Sequence, residues 1–182
     1  MTAPLNLAAD DFTLFGLPRA FVVDAAALDA RWRDLQARVH PDKFAAEGGA
    51  AQRVAMQWSV RVNEAYRRLR DPIARGAYLC GLAGVAIDAE RNTAMPTAFL
   101  MQQMQWREAL DEAGTVQDVS ELEARVRAEF GLMQARLAVL IDGRADTAPD
   151  LPAAAQQVRA LMFVQRFLQD IARRADALDQ AP

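Results

Sequence analysis

Apolar residues recur at helical intervals through most of the chain, and breaker residues mark the gaps between the runs. Asp24 is a good N-cap ahead of three alanines. Leu28, Trp32, Leu35 and Val39 follow at intervals of four, three and four, which places them on one helical face. His40-Pro41 ends this helix, because proline disfavours the α region in the residue before it. A loop over 40–49 closes on Gly48-Gly49, and a second long helix is predicted from about Ala50 to Arg70. Its inward face reads Val54, Trp58, Val62, Ala65 and Leu69. Two amphipathic helices with a short connection predict an antiparallel hairpin, with Trp32 and Trp58 in the shared interior. Ahead of it, the apolar segment Phe12 to Leu17, ended by Pro18, is expected to pack across the hairpin.

Asp71-Pro72 breaks the second helix and predicts a further turn or two through Arg75, Tyr78 and Leu79. Gly81 and Gly84 then loosen the chain, so 76–92 reads as a connection whose apolar residues pack rather than dangle. Three helices remain. One spans roughly 93–113 and ends at Gly114. The next begins near Ser120, whose spacing to Glu123 resembles a capping box, and runs to about Ile141 before Gly143. The last begins after Asp150, tolerates Pro152 in its first turn and continues to about Leu178. Short connections favour an up-down-up bundle. The expected fold is therefore all-α, with a helical hairpin domain over 1–75, a connecting segment over 76–92 and a three-helix domain over 93–182.

Composition narrows the chemistry. Among 182 residues, 52% hydrophobic, there is one His and one Cys. That inventory excludes a zinc finger, an internal disulfide or a di-iron bundle, and no cofactor or metal is expected. Cys80 sits in the apolar run Tyr78-Leu79-Cys80-Gly81-Leu82 and reads as a small core residue, since clusters need several thiolates. A net charge of −3 argues against general nucleic-acid binding. No apolar run is long enough for a membrane span, and no basic segment follows Met1 as a signal peptide would require, so a cytoplasmic location is expected. Charge is uneven: residues 1–75 carry 11 basic against 9 acidic side chains, and residues 76–182 carry 10 against 15. A mildly basic front half and an acidic rear half suggest units with separate tasks.

The solitary histidine lies in His40-Pro41-Asp42, followed by the only lysine, Lys43, and preceded by a helix bearing Arg31, Arg33 and Arg38. A proline-fixed turn with a carboxylate and nearby cations suits contact with another protein. Two other readings stand beside it. The tripeptide can be a plain turn, with the arginines paired to Asp29 and Asp34 on a solvated face. Alternatively His40 is a general base, although no Gly-x-Ser-x-Gly elbow, phosphate loop or other activated nucleophile supports it. Phe15-Gly16-Leu17-Pro18, the basic helix, His40-Pro41-Asp42-Lys43, the long helix after it and Asp71-Pro72-x-x-Arg75 together resemble a J-domain over roughly residues 10–80. The resemblance implies that His40, Pro41 and Asp42 stimulate ATP hydrolysis by an Hsp70-class partner. It also implies that Arg31, Arg33, Arg38 and Lys43 dock on that partner's acidic surface.

In the first rear helix Phe99, Gln103, Trp106, Leu110 and Ala113 fall within about 40° of one direction. Met101, Met104, Gln105, Glu108 and Glu112 lie opposite, with Leu100 at the margin. In the last helix Val158, Leu161, Val164, Leu168 and Ala175 share a face, and Phe163 projects roughly opposite Leu161. Exposed Met and Phe residues with a Glu rim would form an adaptable binding patch; equally, they would widen the bundle core. Thr97-Ala98-Phe99-Leu100-Met101 with Arg107-Glu108-x-Leu110-Asp111-Glu112 is similar to the signature of the HscB family, the J-domain co-chaperones of iron–sulfur cluster assembly. The likeness covers nearly the whole chain, and without a Cys-x-x-Cys pair before the J-domain it is to the bacterial form.

That likeness implies partnership with an IscU-type scaffold and an HscA-type Hsp70. Leu100, Met101, Met104, Glu108, Glu112 and Phe163 would be the scaffold-binding residues. Met104 stands where the pattern expects Leu, a near-isosteric swap, and Gln105 stands where it expects Glu, which removes a charge. The expectation is a co-chaperone that has no enzymatic site of its own. A J-domain protein serving another client, or a small His40-dependent hydrolase, are the alternatives.

Overall fold

The computed structural model describes residues 6, 8–40, 42–44, 48–89 and 95–180. Among them the order is α1 (Asp11–Phe15), α2 (Ala25–Val39), α3 (Gly49–Arg70), α4 (Pro72–Leu82), α5 (Thr97–Glu112), α6 (Val116–Asp142) and α7 (Leu151–Asp179), with no strand. None of these helices is long and apolar enough to cross a membrane. The chain divides into two compact units, Met1–Leu79 and Cys80–Pro182.

In the first unit α2 and α3 form the predicted hairpin and α1 lies across it. The α2 face is as read: Leu28, Leu35 and Val39 are buried, and the Asp24 carboxylate caps the helix by accepting from the N–H groups of Ala26 and Ala27. On α3 the inward stripe is Ala55, Trp58, Val62, Ala65 and Leu69, whereas Val54 is exposed. Regular spacing of three and four therefore overrides side-chain hydrophobicity, and alanine lets the two helices approach. The tryptophans are only half-buried. Trp32 stacks on Tyr66 at 4.9 Å and its indole N–H donates to Asn63 Oδ1 at 3.0 Å, at the rim of the core. Phe12, Phe15, Phe21 and Leu28 fill the interior instead.

A buried carboxylate fastens α1. Asp11, fully buried, lies 2.6 Å from Arg61 Nη2 and accepts from Arg68 Nη1 at 2.7 Å, both on α3. Arg61 Nη2 also donates to the Ala9 carbonyl at 3.0 Å, so its contact with Asp11 is ionic rather than a well-aligned hydrogen bond. The Asp11 N–H donates to the Tyr78 hydroxyl at 2.9 Å, and Tyr78 stacks near Phe12.

Where the sequence reading places a connection from residue 76, α4 continues to Leu82. Asp71-Pro72 works as a start signal as well as a stop: Asp71 Oδ1 accepts from the Ala74 N–H at 2.7 Å and Pro72 takes the first helical position. Ile73, Leu79 and Cys80 are buried along it. Beyond it, the Ile87 carbonyl accepts from Arg159 Nη1 at 2.9 Å, which ties this stretch to α7.

The second unit is a bundle in which α6 and α7 pair along their length. Contacts of Gln157 with Met133 and of Asp150 with Leu140 make them antiparallel. Val119, Leu122, Val126, Met133, Leu137 and Ile141 meet Ala154, Val158, Leu161, Val164, Phe167 and Ile171. Each fully buried Val, Leu or Phe contributes about 1.5–3 kcal/mol. Helix α6 begins at Thr115 and not at Ser120. Thr115 accepts from the Asp118 N–H and Asp118 accepts from the Thr115 N–H at 2.9 Å, a capping box that uses Asp. The Thr115 hydroxyl also holds the Asp118 carboxyl below its ordinary pKa. Helix α5 runs parallel to α7, joined through Phe99 to Phe163, Trp106 to Phe167 and the Ala113 carbonyl to Arg174.

Candidate functional site

Each unit carries one candidate surface. In the first, His40 is the C-cap of α2 in an extended conformation (φ −62°, ψ 126°), as a residue before proline should be. Pro41 lies outside the described residues. The chain turns back at once: the Lys43 N–H donates to the His40 carbonyl at 3.1 Å, and the Asp42 N–H donates to His40 Nδ1 at 3.3 Å. With Nδ1 accepting, the proton of the neutral ring sits on Nε2. The Asp42 carboxylate stands 3.5 Å from Nδ1 and is nearly fully exposed, and Lys43 is exposed too. Among the described residues the hydrogen bonds and ion pair of this turn join His40 to Asp42 and Lys43, so it presents a donor, a carboxylate and an ammonium to solvent.

The arginines divide. Arg31 Nη1 donates to the Phe15 carbonyl at 2.9 Å, so its guanidinium closes the end of α1 and is committed to the fold. It passes Gly16, whose φ of +60° makes the left-handed C-cap of α1, and a Cβ there would lie 2.7 Å from Arg31 Nη1. Arg33 and Arg38 are exposed on α2, Arg38 in the last turn beside His40. Among the described residues no ion pair joins these arginines to Asp29, which Arg33 reaches only through its charge. Asp29 is taken by Arg70 and by the Tyr66 hydroxyl at 2.9 Å, and these hydrogen bonds hold its carboxyl below the usual range. The outward cations are thus Arg33, Arg38 and Lys43.

The second surface is α5. Phe99, Gln103, Trp106, Leu110 and Ala113 turn inward as read. On the other side Leu100 is 44% exposed, Met101 58% and Met104 70%, with Gln105, Glu108 and Glu112 also in solvent. These residues widen no core. Phe163 departs from expectation: it is half-buried, packs edge-on against Phe99 at 6.1 Å, and carries the Arg107 guanidinium 5.6 Å above its ring. It belongs to the α5–α7 seam. On one flank of α5 a groove of about 740 Å³ runs between Met101, Gln102 and Gln105 and the α6 residues Leu132, Met133 and Arg136. Leu132, which the sequence reading does not single out, is 66% exposed there. It stands beside the core position Met133 and off the stripe of Val126, Met133 and Leu137 that apolar periodicity picks out.

Cys80 is buried, and burial raises its thiol above the ordinary pKa. Among the described residues no group of three or more His, Cys, Asp or Glu could hold a metal ion.

Residues 95–172 match the family described as "HSCB C-terminal oligomerisation domain". A co-chaperone protein HscB homolog of Bordetella petrii is 54% identical over 168 residues, covering 91% of this chain and 96% of its own. The homolog of Burkholderia multivorans is 47% identical, with 96% and 99% covered. Among structures, the chaperone HscB from Vibrio cholerae superposes with a TM-score of 0.78 at 30% identity, covering 93% of this chain and 99% of that one. Human co-chaperone protein HscB gives a TM-score of 0.84 at 28% identity, with 94% and 84% covered.

Proposed function

Because the chain belongs to the HscB co-chaperone family, we propose that it binds an IscU-type iron–sulfur scaffold and stimulates the ATPase of an HscA-type Hsp70. The turn of His40, Asp42 and Lys43, with Arg33 and Arg38 behind it, is the chaperone-facing element, and Pro41 belongs to it by sequence. Such an element does no chemistry. It makes better contacts with one conformation of the partner than with another, and so shifts the partner toward its hydrolysing state.

The observation that carries the scaffold half is the exposure of Leu100, Met101 and Met104 in one stripe beside Glu108 and Glu112. A stripe of large apolar side chains in solvent needs a partner, and flexible methionines adapt to one. Holding scaffold and chaperone on one chain raises the local concentration of each near the other. The cluster is carried by the scaffold, so the chain itself acts as a regulator of a partner's ATPase.

The test separates the two surfaces. His40→Gln should abolish ATPase stimulation and leave scaffold affinity unchanged. Met101→Ala with Met104→Ala should weaken scaffold binding by at least tenfold, the scale of one hot-spot truncation, and leave basal ATPase stimulation intact. Undiminished stimulation by the first variant, or undiminished affinity in the second, overturns the corresponding half. Phe163 is kept in place because its removal would open the α5–α7 seam.

A further inference from the structure

A cleft of the opposite sign stands in the acidic half of the chain. Between α5 and α7, a cleft of about 450 Å³ is bordered by Arg107 from α5 and by Phe163, Arg166, Phe167, Asp170 and Arg173 from α7. The α7 spacing of three, four and three from Phe163 to Arg173 keeps these residues on one stripe. Three guanidiniums thus meet one carboxylate. Asp170 is already bonded to Arg173. The Arg107 guanidinium rests over the Phe163 ring, and among the described residues neither Arg107 nor Arg166 has a carboxylate partner.

We propose that this cleft is a carboxylate socket, in which Arg166, flanked by Arg107 and Arg173, receives an acidic side chain of the same protein that docks on Leu100, Met101 and Met104. The inference rests on the scaffold-binding reading and adds a second point of attachment to it. Guanidinium forks match a carboxylate in two parallel hydrogen bonds, and the aromatic floor of Phe163 and Phe167 lowers the local dielectric beneath them. Leu100, Met104 and Arg107 stand at i, i+4 and i+7 on one flank of α5, so the α5 wall of the cleft continues the row of the stripe. A free small anion would meet exposed arginines in water. A carboxylate delivered by a partner already seated on the stripe arrives at high effective concentration. Glu108 and Glu112 continue the Leu100–Met104 row toward the C-terminal end of α5, and the exposed Asp111 stands one turn beyond Arg107, so the stripe is acidic at its far end and basic beside the cleft, which orients its occupant.

The test is titration of an IscU-type scaffold into the full chain, the Arg166→Glu and Arg166→Ala variants, and Met104→Ala, at low and high salt. Arg166 is exposed and unpaired, so its variants should melt like the parent. Arg166→Glu is expected to weaken binding about tenfold and Arg166→Ala about threefold, with a flatter salt dependence in both. Parent-like affinity and salt dependence in Arg166→Glu, with loss in Met104→Ala, overturns the socket and keeps the scaffold-binding reading. No loss in either overturns both. Self-association of the chain that Arg166→Glu abolishes, seen by sedimentation, would put a second copy in the cleft and also overturn the proposal.

Discussion

Asp11→Asn removes the charge that fastens α1 to α3 while preserving the side-chain volume. Breaking a buried ion pair from one side costs about 3–5 kcal/mol when the remaining charge stays buried. Here Arg61 and Arg68 are 21% and 40% exposed, so water recovers part of their solvation. Arg61 keeps the Ala9 carbonyl, and Arg68 keeps the face of Tyr78, 4.9 Å away. The amide oxygen can still accept one bond from Arg68, but its nitrogen meets a second guanidinium. The net loss is about 2 kcal/mol, which for a unit of this size lowers the midpoint by roughly 8–16 °C. The assay is tryptophan fluorescence in a Trp106→Phe background, where only Trp32 and Trp58 of the first unit report. A drop under about 3 °C would refute the reasoning, since α1 would then be held by Phe12 and Phe15 alone.

Asp10 provides a pH test: burial opposes its charge, yet hydrogen bonds from Arg19 and Thr13 bring its pKa down to about 2 from 3.8. Because the folded value is the lower one, its contribution is complete above about pH 5 and disappears as pH falls toward 2. Asp10→Asn retains the cap, so its stability deficit should be constant near neutrality and close between pH 5 and 2, roughly; a deficit that persists unchanged in acid contradicts the assignment. Gly16→Ala forces a left-handed alanine whose Cβ displaces Arg31 from the Phe15 carbonyl, and should cost about 1–2 kcal/mol in the same fluorescence melt. A loss below about 0.5 kcal/mol would show that the α1 cap relaxes without strain.

The hairpin was legible because α2 and α3 repeat apolar residues at three and four, and one breaker follows each helix. The same rule misassigned Val54, since it ranks residues by hydrophobicity while packing ranks them by direction, and Ala55 points inward. Helix α4 reads in the sequence as only a turn or two because Gly81 and Gly84 loosen the pattern, and α6 begins early because Asp118 completes a capping box usually recognised by Glu. The 100° rotation per residue put the Met residues opposite the core face but left open whether they widen the core, and the family resemblance decided between the two. What a single helical wheel omits is the neighbour: Phe163 looks outward on α7 until α5 lies beside it, and Arg31 looks free until α1 ends against it. The Asp11 pairs join residues 50 and 57 positions apart, and nothing local in the chain announces them.

Lys43 gives the first surface a chemical address. It is the only lysine in a chain with 20 arginines, and guanidiniums do not react with amine-directed reagents as ammonium groups do. Apart from the α-amine at Met1, an acylating photo-cross-linker has one place to attach, and that place is three residues from His40 in an exposed turn. The protein is in effect pre-tagged at the element proposed to meet the chaperone, and a bare dye placed there would read engagement of that face without any engineered residue.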